Sequence, residues 1–224
     1  MSQQPPKVSS AALILEVRGG RLELREPDAS PRCKGLFVEF ALPPRASLSR
    51  NQPLAKAMGR ETRIIIDGTA GLGGDAFLLA CMGFRVTAVE RSPTIHALLE
   101  DGLRRAEGDP LMHRALGGRL KVVHADARAW LSAPDRRPDV VYLDPMFPPR
   151  RKASALAKKA IRLVRAVVGD DEDAADLFAA AMRAAAQRVV VKRPHHAPPL
   201  GPEPTIAFEG KLVRYDVYRV GAAS

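Results

Sequence analysis

The spacing of apolar residues divides the chain into two parts. In the first part, Ala12–Val17 and Leu22–Leu24 flank a Gly-Gly turn typical of a β-hairpin, and Gly35–Phe40 is expected to add a third strand. Further on, short apolar runs alternate with helical patterns, which is typical of a mostly parallel sheet covered on both faces. The sequence therefore predicts a small N-terminal β subdomain and linker over residues 1–50 and an α/β domain over residues 51–224.

Five apolar runs in the α/β domain and a closing antiparallel hairpin predict a sheet of seven strands. The runs are Ile64–Ile66, Phe84–Glu90, Leu120–His124, Val140–Leu143 and Arg188–Pro194, and the hairpin joins Thr205–Phe208 to Val213–Tyr218. Helices are expected over residues 52–59, 76–82, 93–103 and 154–168, and after the acidic run 170–173. Ser92 and Pro93 suit a helix start, because serine can cap free N–H groups and proline has none to satisfy.

A glycine-rich loop, Asp67-Gly68-Thr69-Ala70-Gly71-Leu72-Gly73-Gly74-Asp75, follows the first of these five strands. Its glycines allow a tight turn and the close approach of a ligand, but their spacing fits neither the dinucleotide fingerprint nor a nucleoside-triphosphate loop. Glu90 and Asp126 end the next two strands. Acids and glycines in this order are the arrangement of S-adenosylmethionine (SAM)-dependent methyltransferases. Asp67 or Asp75 could attract the ammonium of SAM, while Glu90 could bind its ribose and Asp126 its adenine amino group.

The fourth strand runs into Asp144-Pro145-Met146-Phe147-Pro148, at the edge of the sheet where ligands of α/β proteins bind. The motif matches the Asn/Asp-Pro-Pro-Tyr/Phe sequence of amino-group methyltransferases. The Asp144 carboxylate and the Pro145 carbonyl could accept the hydrogens of a base amino group and aim its lone pair at the methyl donor. Phe147 could stack on a flipped-out base. We therefore predict Asp144, Pro145 and Phe147 as catalytic residues.

The net charge bears on the choice of partner. The chain has 35 Lys and Arg against 25 Asp and Glu, a net charge of +10, which favours a polyanion such as nucleic acid. Basic residues cluster after the motif and at the end of the fifth strand. Those expected to contact RNA phosphates are Arg150, Arg151, Lys152, Lys158, Arg162, Arg165, Lys192 and Arg193.

Other classes of protein are disfavoured by what the sequence lacks. It has no apolar run of transmembrane length and no signal-peptide core, so a cytoplasmic protein without a membrane partner is expected. Cys33 and Cys81 are far apart and form no Cys-x-x-Cys pair, so they are expected to be reduced thiols. His195 and His196 lack further partners at metal-ligand spacing, and no metal site is predicted.

With these motifs established, the chain resembles the bacterial small-subunit (16S) ribosomal RNA guanine-N2 methyltransferases. The resemblance covers about residues 12–219, and its matching segments are Gly35–Phe40, Asp67–Phe77, Val89–Pro93, Val141–Pro148 and Val189–Pro194. It implies a class I SAM-dependent methyltransferase fold, which is Rossmann-like. It also implies methylation of a guanosine amino group near the 3′ end of the small-subunit RNA, with ribosomal RNA or the small ribosomal subunit as the partner.

The resemblance further implies contacts to SAM from Gly74, Asp75, Glu90, Arg91, Asp126, Ala127 and Asp144, to which the glycine loop adds Asp67, Gly68, Gly71 and Gly73. The chain departs from the family at Gly74, where arginine is usual, and at Pro43–Pro53, which replaces a glycine-rich basic loop. The residues themselves leave two alternatives open. One is an amino methyltransferase acting on adenine N6 in DNA or another RNA, and the other is a non-catalytic RNA-binding assembly factor.

Overall fold

A computed structural model describes residues 13–30, 33–145, 163, 164, 167 and 173–221 of the 224-residue chain. In these ranges β1 (Ile14–Arg18) and β2 (Arg21–Arg25) form a hairpin, as predicted. The other strands are β3 (Ile64–Asp67), β4 (Arg85–Glu90), β5 (Leu120–His124), β6 (Val140–Leu143), β7 (Arg188–Arg193), β8 (Ile206–Glu209) and β9 (Arg214–Arg219).

These other strands form one sheet of seven in the order β5-β4-β3-β6-β7-β9-β8, which confirms the predicted fold class. Strands β3 to β7 run parallel, and only β9 runs antiparallel to its neighbours β7 and β8. The strand order reverses direction beside β3, between β4 and β6. An open α/β sheet binds its ligand at such a point, beyond the carboxyl ends of the strands.

Six α-helices have both ends in the described ranges: α1 (Pro53–Met58), α2 (Gly74–Cys81), α3 (Pro93–Gly108), α4 (Pro110–Leu116), α5 (Ala127–Leu131) and α6 (Ala174–Ala184). A short 3-10 helix, Arg45–Leu48, precedes them. Ser92 caps α3 as predicted, because its hydroxyl accepts the N–H of Ile95 at 3.3 Å. The apolar pattern did not indicate α4 and α5, and each of these short helices begins after an aspartate cap, Asp109 and Asp126. No helix in the described ranges combines the length and apolarity needed to cross a membrane.

The core has two layers, one on each face of the sheet. Val140 and Val190 are fully buried on the face that packs against α1 to α4. Their neighbours in sequence, Val141 and Val191, are equally buried on the face covered by α5 and α6. Alternate residues of a strand point to opposite faces, so a strand buried on both faces is apolar throughout. This burial fixes the strand ends that carry the polar residues of the site.

The prediction of a third N-terminal strand over Gly35–Phe40 is wrong. Only Leu36 pairs with the hairpin, through two hydrogen bonds of 2.8 Å with the backbone of Leu24. The chain then leaves the hairpin, and the Phe40 ring stacks on Phe77 of α2 with ring centroids 4.4 Å apart. Packing against the helices therefore replaces further strand pairing.

The predicted helix over residues 154–168 falls mostly outside the described residues. Leu163, Val164 and Val167 are described as helical, and Leu163 and Val164 are buried in the core. Of the acidic run before α6, only Asp173 is described.

Candidate active site

A cavity of about 340 Å³ lies at the carboxyl ends of β3 to β7. All eleven residues predicted to bind the cofactor line it: Asp67, Gly68, Gly71, Gly73, Gly74, Asp75, Glu90, Arg91, Asp126, Ala127 and Asp144. They come from four separate segments of the chain, which the parallel strands bring to one edge of the sheet. The volume lies within the range of about 300–1,000 Å³ typical of small-molecule sites.

The glycine loop is held in a fixed path by backbone contacts. Thr69 N donates to a carboxylate oxygen of Asp67 at 3.0 Å, and Ala70 N donates to Val89 O at 3.1 Å. Gly73 has φ +76°, and a Cβ atom there would lie only 2.4 Å from Leu99 Cδ1. Glycine is therefore required at position 73 both by the left-handed backbone and by the close approach of α3.

Glu90 joins the glycine loop to the start of α3. Its two carboxylate oxygens accept the N–H groups of Gly71 and Ser92, both at 2.8 Å, and the residue is buried. A carboxylate oxygen has two lone pairs, so one oxygen can accept more than one hydrogen bond. Glu90 can thus shape the loop and still bind the ribose hydroxyls predicted for it.

A second group of contacts is built around Lys192 of β7. Its ammonium lies 2.7 Å from a carboxylate oxygen of Asp75 and 2.9 Å from one of Asp144. The Tyr142 hydroxyl donates to the same oxygen of Asp75 at 2.6 Å. Burial lowers the pKa of Lys192, but the charges of Asp144 and Asp75 raise it more, and the net pKa lies above the usual value. Lys192 therefore remains a cation in contact with two acids.

Asp144 is fixed from its backbone as well as from its side chain. Its N–H donates to the hydroxyl of Thr69, in the glycine loop, at 2.6 Å. The strand that ends in the catalytic motif is thus tied directly to the loop predicted to bind the cofactor.

Asp67 differs from the other acids of the cavity in its protonation. Burial raises the pKa of Asp67 to about 8, and the nearby charges of Asp75 and Asp144 act in the same direction. The Thr69 N–H and the Lys192 ammonium oppose this rise but do not cancel it. At neutral pH Asp67 is therefore mostly neutral in the absence of a further cation.

Ion pairs form the wall of the cavity beside Asp126. Asp173 lies 2.9 Å from a guanidinium nitrogen of Arg91 and 3.0 Å from one of Arg128. Arg128 also contacts Asp126 at 2.5 Å, and this hydrogen bond is the main reason that the pKa of Asp126 is lowered. Three segments of the chain, after β4, in α5 and before α6, are thereby joined.

Sequence reasoning missed several residues of the site, among them Thr69, Arg128, Tyr142 and Asp173. Tyr142 carried a signal, since it places a hydroxyl in an otherwise apolar run directly before an acid. The sequence indicates Asp173 only as the last residue of an acidic run before a helix, but among the described residues its side chain contacts Arg91 and Arg128 and does not cap the helix.

The placement of Lys192 and Arg193 corrects a prediction. Both were expected on an RNA-binding surface, but Lys192 points into the cavity and Arg193 is buried with 3% of its surface exposed. Arg193 donates to the carbonyl of Pro198, in the loop that covers it. Successive residues of β7 face opposite sides of the sheet, so Lys192 enters the cavity while Arg193 is buried on the other side. The remaining predicted contacts, Phe147, Arg150, Arg151, Lys152, Lys158, Arg162 and Arg165, lie outside the described residues.

The charges around the cavity favour a cationic ligand. Among the described residues that line it, six carry carboxyl groups and three carry cations, so the anions are in excess. Apolar surface is supplied by side chains such as Leu72, Val89 and Leu177. A ligand with positive charge at one end and an apolar ring at the other matches this lining.

Comparison with known proteins agrees with this geometry. The family model for SAM-dependent methyltransferases matches residues 4–220. The chain is 48% identical over 217 residues to ribosomal RNA small subunit methyltransferase J of Thioalkalivibrio sulfidiphilus, with 93% of this chain and 84% of that protein covered. The protein of the same name from Chromobacterium violaceum is 44% identical, with the same coverage.

A solved structure also matches over the full length. The crystal structure of a SAM-dependent methyltransferase from Neisseria gonorrhoeae is 30% identical in sequence and gives a TM-score of 0.73. The match covers 100% of this chain and 88% of that one.

Proposed function

The chain belongs to the family of SAM-dependent methyltransferases, together with the ribosomal RNA small subunit methyltransferases J, and we propose that it methylates a guanosine of 16S ribosomal RNA. The acceptor is the exocyclic N2 amino group of a guanosine near the 3′ end of that RNA. The observation that carries the proposal is the position of the Asp144 carboxylate, which opens on the same cavity as the glycine loop. The identity to relatives named for small-subunit RNA supports the choice of substrate.

The residues present fit SAM. The excess of carboxyl groups suits its ammonium and sulfonium charges, and a Cβ atom at Gly74 would meet none of the described residues within 4 Å. Asp67 and Asp75 would hold the ammonium, Glu90 the ribose and Asp126 the adenine amino group. When bound, SAM supplies a methyl group made electrophilic by the positive sulfur.

Asp144 and Pro145 act on the acceptor. The lone pair of a base amino group is delocalised into the ring, which makes the nitrogen a poor nucleophile. Hydrogen bonds from the amino group to the Asp144 carboxylate and the Pro145 carbonyl draw the nitrogen towards tetrahedral geometry. Its lone pair then points at the methyl group. This is catalysis by orientation and electrostatics.

Lys192 and Thr69 hold Asp144 for this task. The ammonium of Lys192 fixes one carboxylate oxygen at 2.9 Å, and the hydroxyl of Thr69 fixes the backbone. The carboxylate can also take the proton that the amino group loses once the new N–C bond has formed. We further propose that Phe147 stacks on the flipped-out base.

A labelled-methyl assay tests the proposal. The protein is incubated with labelled SAM and either small ribosomal subunits or naked 16S RNA, prepared from a strain that lacks the corresponding methyltransferase. Nucleoside analysis should find the label in N2-methylguanosine, and the Asp144→Ala protein is the matched control. Label in N6-methyladenosine would overturn the assignment of the base. Binding of RNA without affinity for SAM in calorimetry would instead favour an assembly factor.

A further inference from the structure

A row of arginines lies at the edge of the large sheet opposite the cavity. Arg85 begins β4, Arg63 directly precedes β3, Arg188 begins β7, and Arg219 ends the antiparallel β9. The strand register keeps them within two residues of one another along the strand direction, because Arg85 is paired with Ile64, the residue after Arg63, and Arg188 is paired with Arg219. Neighbouring strands are about 4.8 Å apart, so the row from β4 to β9 extends over about 19 Å. We call these four residues the basic edge.

Within the described ranges, the charges of the basic edge are not compensated by ion pairs. Arg63, Arg85 and Arg219 are exposed, and no carboxylate in the described part of the chain pairs with any of them. Arg188 is half-buried, and burial is the main reason that its pKa is lowered. The positive charge of the neighbouring Arg219 lowers it further. Arginines that repel one another in this way destabilise the free protein slightly, and a polyanion would relieve the repulsion.

Asp139 stands in the middle of the row but does not neutralise it. One of its carboxylate oxygens accepts the backbone N–H groups of Arg63 and Ile64, both at 2.8 Å, and the other accepts the side-chain amide of Gln187 at 3.1 Å. These bonds tie the start of β6 to the starts of β3 and β7. The Asp139 carboxylate thus binds N–H groups of the neighbouring strands, and the exposed guanidinium groups of Arg63, Arg85 and Arg219 face solvent.

A further arginine extends this surface beside β4. The guanidinium of Arg50 lies 4.0 Å from the ring centroid of Phe84, the residue that precedes Arg85, and Arg50 is itself exposed. The contrast with the other end of the sheet is marked, because carboxyl groups outnumber cations among the described residues of the cavity. The basic edge and the cavity thus lie at opposite ends of the strands and differ in the sign of their excess charge.

We propose that the basic edge is a second RNA-binding surface, which contacts the phosphate backbone of the same substrate at a distance from the methylated nucleotide. The inference rests on the proposed function. Guanidinium groups bind phosphate in a forked, two-bond geometry, and phosphate contacts position a protein on RNA without reading its sequence. Strands of four to six residues separate the edge from the cavity, or about 13–20 Å at 3.3 Å per residue.

This separation limits the kind of RNA that can use both sites. A short oligonucleotide that places its guanosine in the cavity ends before it reaches the basic edge. A long folded RNA, or the assembled subunit, can pass round the domain and contact both. The basic edge therefore selects for a large, folded substrate, and its effect should be seen in the Michaelis constant rather than in the rate of the chemical step.

Two triple variants test the inference. Arg63→Gln, Arg85→Gln and Arg219→Gln together remove three charges from exposed positions, and the corresponding Arg→Lys triple keeps them as the matched control. On the full-length RNA or subunit that the unaltered enzyme methylates, the Gln triple should raise KM by about 10-fold or more with unchanged kcat, and flatten the slope of log affinity against log salt by about 2. A short fragment around the target should show no change.

Each failure has a distinct signature. Unchanged KM and an unchanged salt slope for the Gln triple, while the unaltered enzyme is active, would overturn the inference and leave the proposed function intact. An equal loss on the short fragment would also overturn it, because the arginines would then act through the active site. If the unaltered protein methylates no RNA, the proposed function fails, and filter binding of folded ribosomal RNA still tests the surface. Calorimetric affinity for SAM should be equal in all three proteins, which shows that the variants fold.

Discussion

The ammonium of Lys192 lies between the carboxylates of Asp75 and Asp144, at 2.7 and 2.9 Å. Lys192 and Asp144 directly follow Val191 and Leu143, which are paired across β7 and β6, so their side chains leave adjacent strands at the same level. One cation thereby stabilises the ionised form of the carboxylate that we propose as catalytic. It also links that carboxylate to Asp75, at the start of α2.

Replacing Lys192 by methionine should make activity depend on pH in a new way. Without the ammonium, the two carboxyl groups repel each other and one of them is driven towards the protonated form. The acid limb of the pH–rate profile should move to higher pH, with activity at pH 6 reduced by about 10-fold or more and partly recovered at pH 8. Lys192→Arg, which keeps the charge, should retain the original profile. A loss of activity that is equal at every pH would show that Lys192 has only a structural role.

Replacing Asp144 should separate methyl transfer from cofactor binding. Asp144→Ala removes the acceptor for the amino group and should lower kcat by about 100-fold or more, since one preorganised hydrogen-bonding group contributes on this scale. The affinity for SAM, measured by calorimetry, should change by less than about 3-fold, because the cavity keeps its five other carboxyl groups. Asp144→Asn retains an acceptor oxygen and should be intermediate. Equal losses in kcat and SAM affinity would make Asp144 chiefly a cofactor ligand.

The affinity for SAM should rise with pH because of Asp67. Its pKa of about 8 means that it is mostly protonated below that pH in the free protein, while a bound cation favours its ionised form. Binding below pH 8 must therefore release a proton, so affinity increases from pH 6 to pH 8 and levels off above it, by at most about 10-fold per pH unit. Calorimetry across this range compares the protein with Asp67→Asn. The amino group of SAM titrates equally with both proteins, so two curves of the same slope would refute this role of Asp67.

Asp67 should also affect stability, with the opposite dependence on pH. A carboxyl group whose folded-state pKa is raised stabilises the fold fully only below its unfolded pKa, and this contribution is lost as pH rises towards about 8. The midpoint of urea unfolding should therefore fall from pH 5 to pH 8 in the free protein. The fall should be smaller in Asp67→Asn, and equal falls in both proteins would assign the effect to other groups.

Much of the fold could be predicted because its signals are local. Runs such as Val140–Leu143 and Val189–Val191 are apolar because both faces of their strands are buried, and burial is visible in the residue types themselves. The short helix α5 could not be predicted in the same way, since it depends on a single aspartate cap and has only five residues. The segment after Leu36 was mistaken for a strand because its apolar residues pack on helices, and the pattern does not distinguish the two environments.

The sequence predicts which residues of the site lie at the ends of strands, but it does not predict which of their side chains contact one another. The acids at the ends of β3, β4 and β6 could be predicted because each directly follows an apolar run, and this order of strands and acids is visible in the sequence. The contact between Lys192 and Asp75 joins residues 117 positions apart, and it depends on the strand order β3-β6-β7. The sequence alone does not give that strand order. It shows Lys192 only as a neighbour of Arg193 in a basic protein, which wrongly predicts that Lys192 lies on an RNA-binding surface.

Asp173 should contribute to SAM binding without taking part in the reaction. It bridges Arg91 and Arg128 in the wall of the cavity, and Asp173→Ala would leave these two guanidinium groups without their shared partner. Partly exposed ion pairs contribute roughly 0–1 kcal/mol each, so the affinity for SAM should fall by about 3- to 10-fold, and less at high salt. Glu107→Ala removes an exposed acid near the end of α3 that does not line the cavity, and it is the control. Equal affinities in the two variants would contradict the role of Asp173.

The glycine loop offers a matched pair of substitutions at adjacent positions. Gly73→Ala forces a side chain into a left-handed backbone with φ +76° and to within 2.4 Å of Leu99, which is fully buried and cannot move freely. The left-handed conformation costs about 1–2 kcal/mol and overpacking about 1–3 kcal/mol, so the free energy of unfolding should fall by roughly 2–5 kcal/mol. Gly74→Ala begins α2 in open space, where a Cβ meets nothing within 4 Å, and should change stability by between zero and a gain of about 1 kcal/mol. Urea unfolding of both variants measures the difference, and equal stability would mean that the loop does not adopt the left-handed turn at Gly73 in solution.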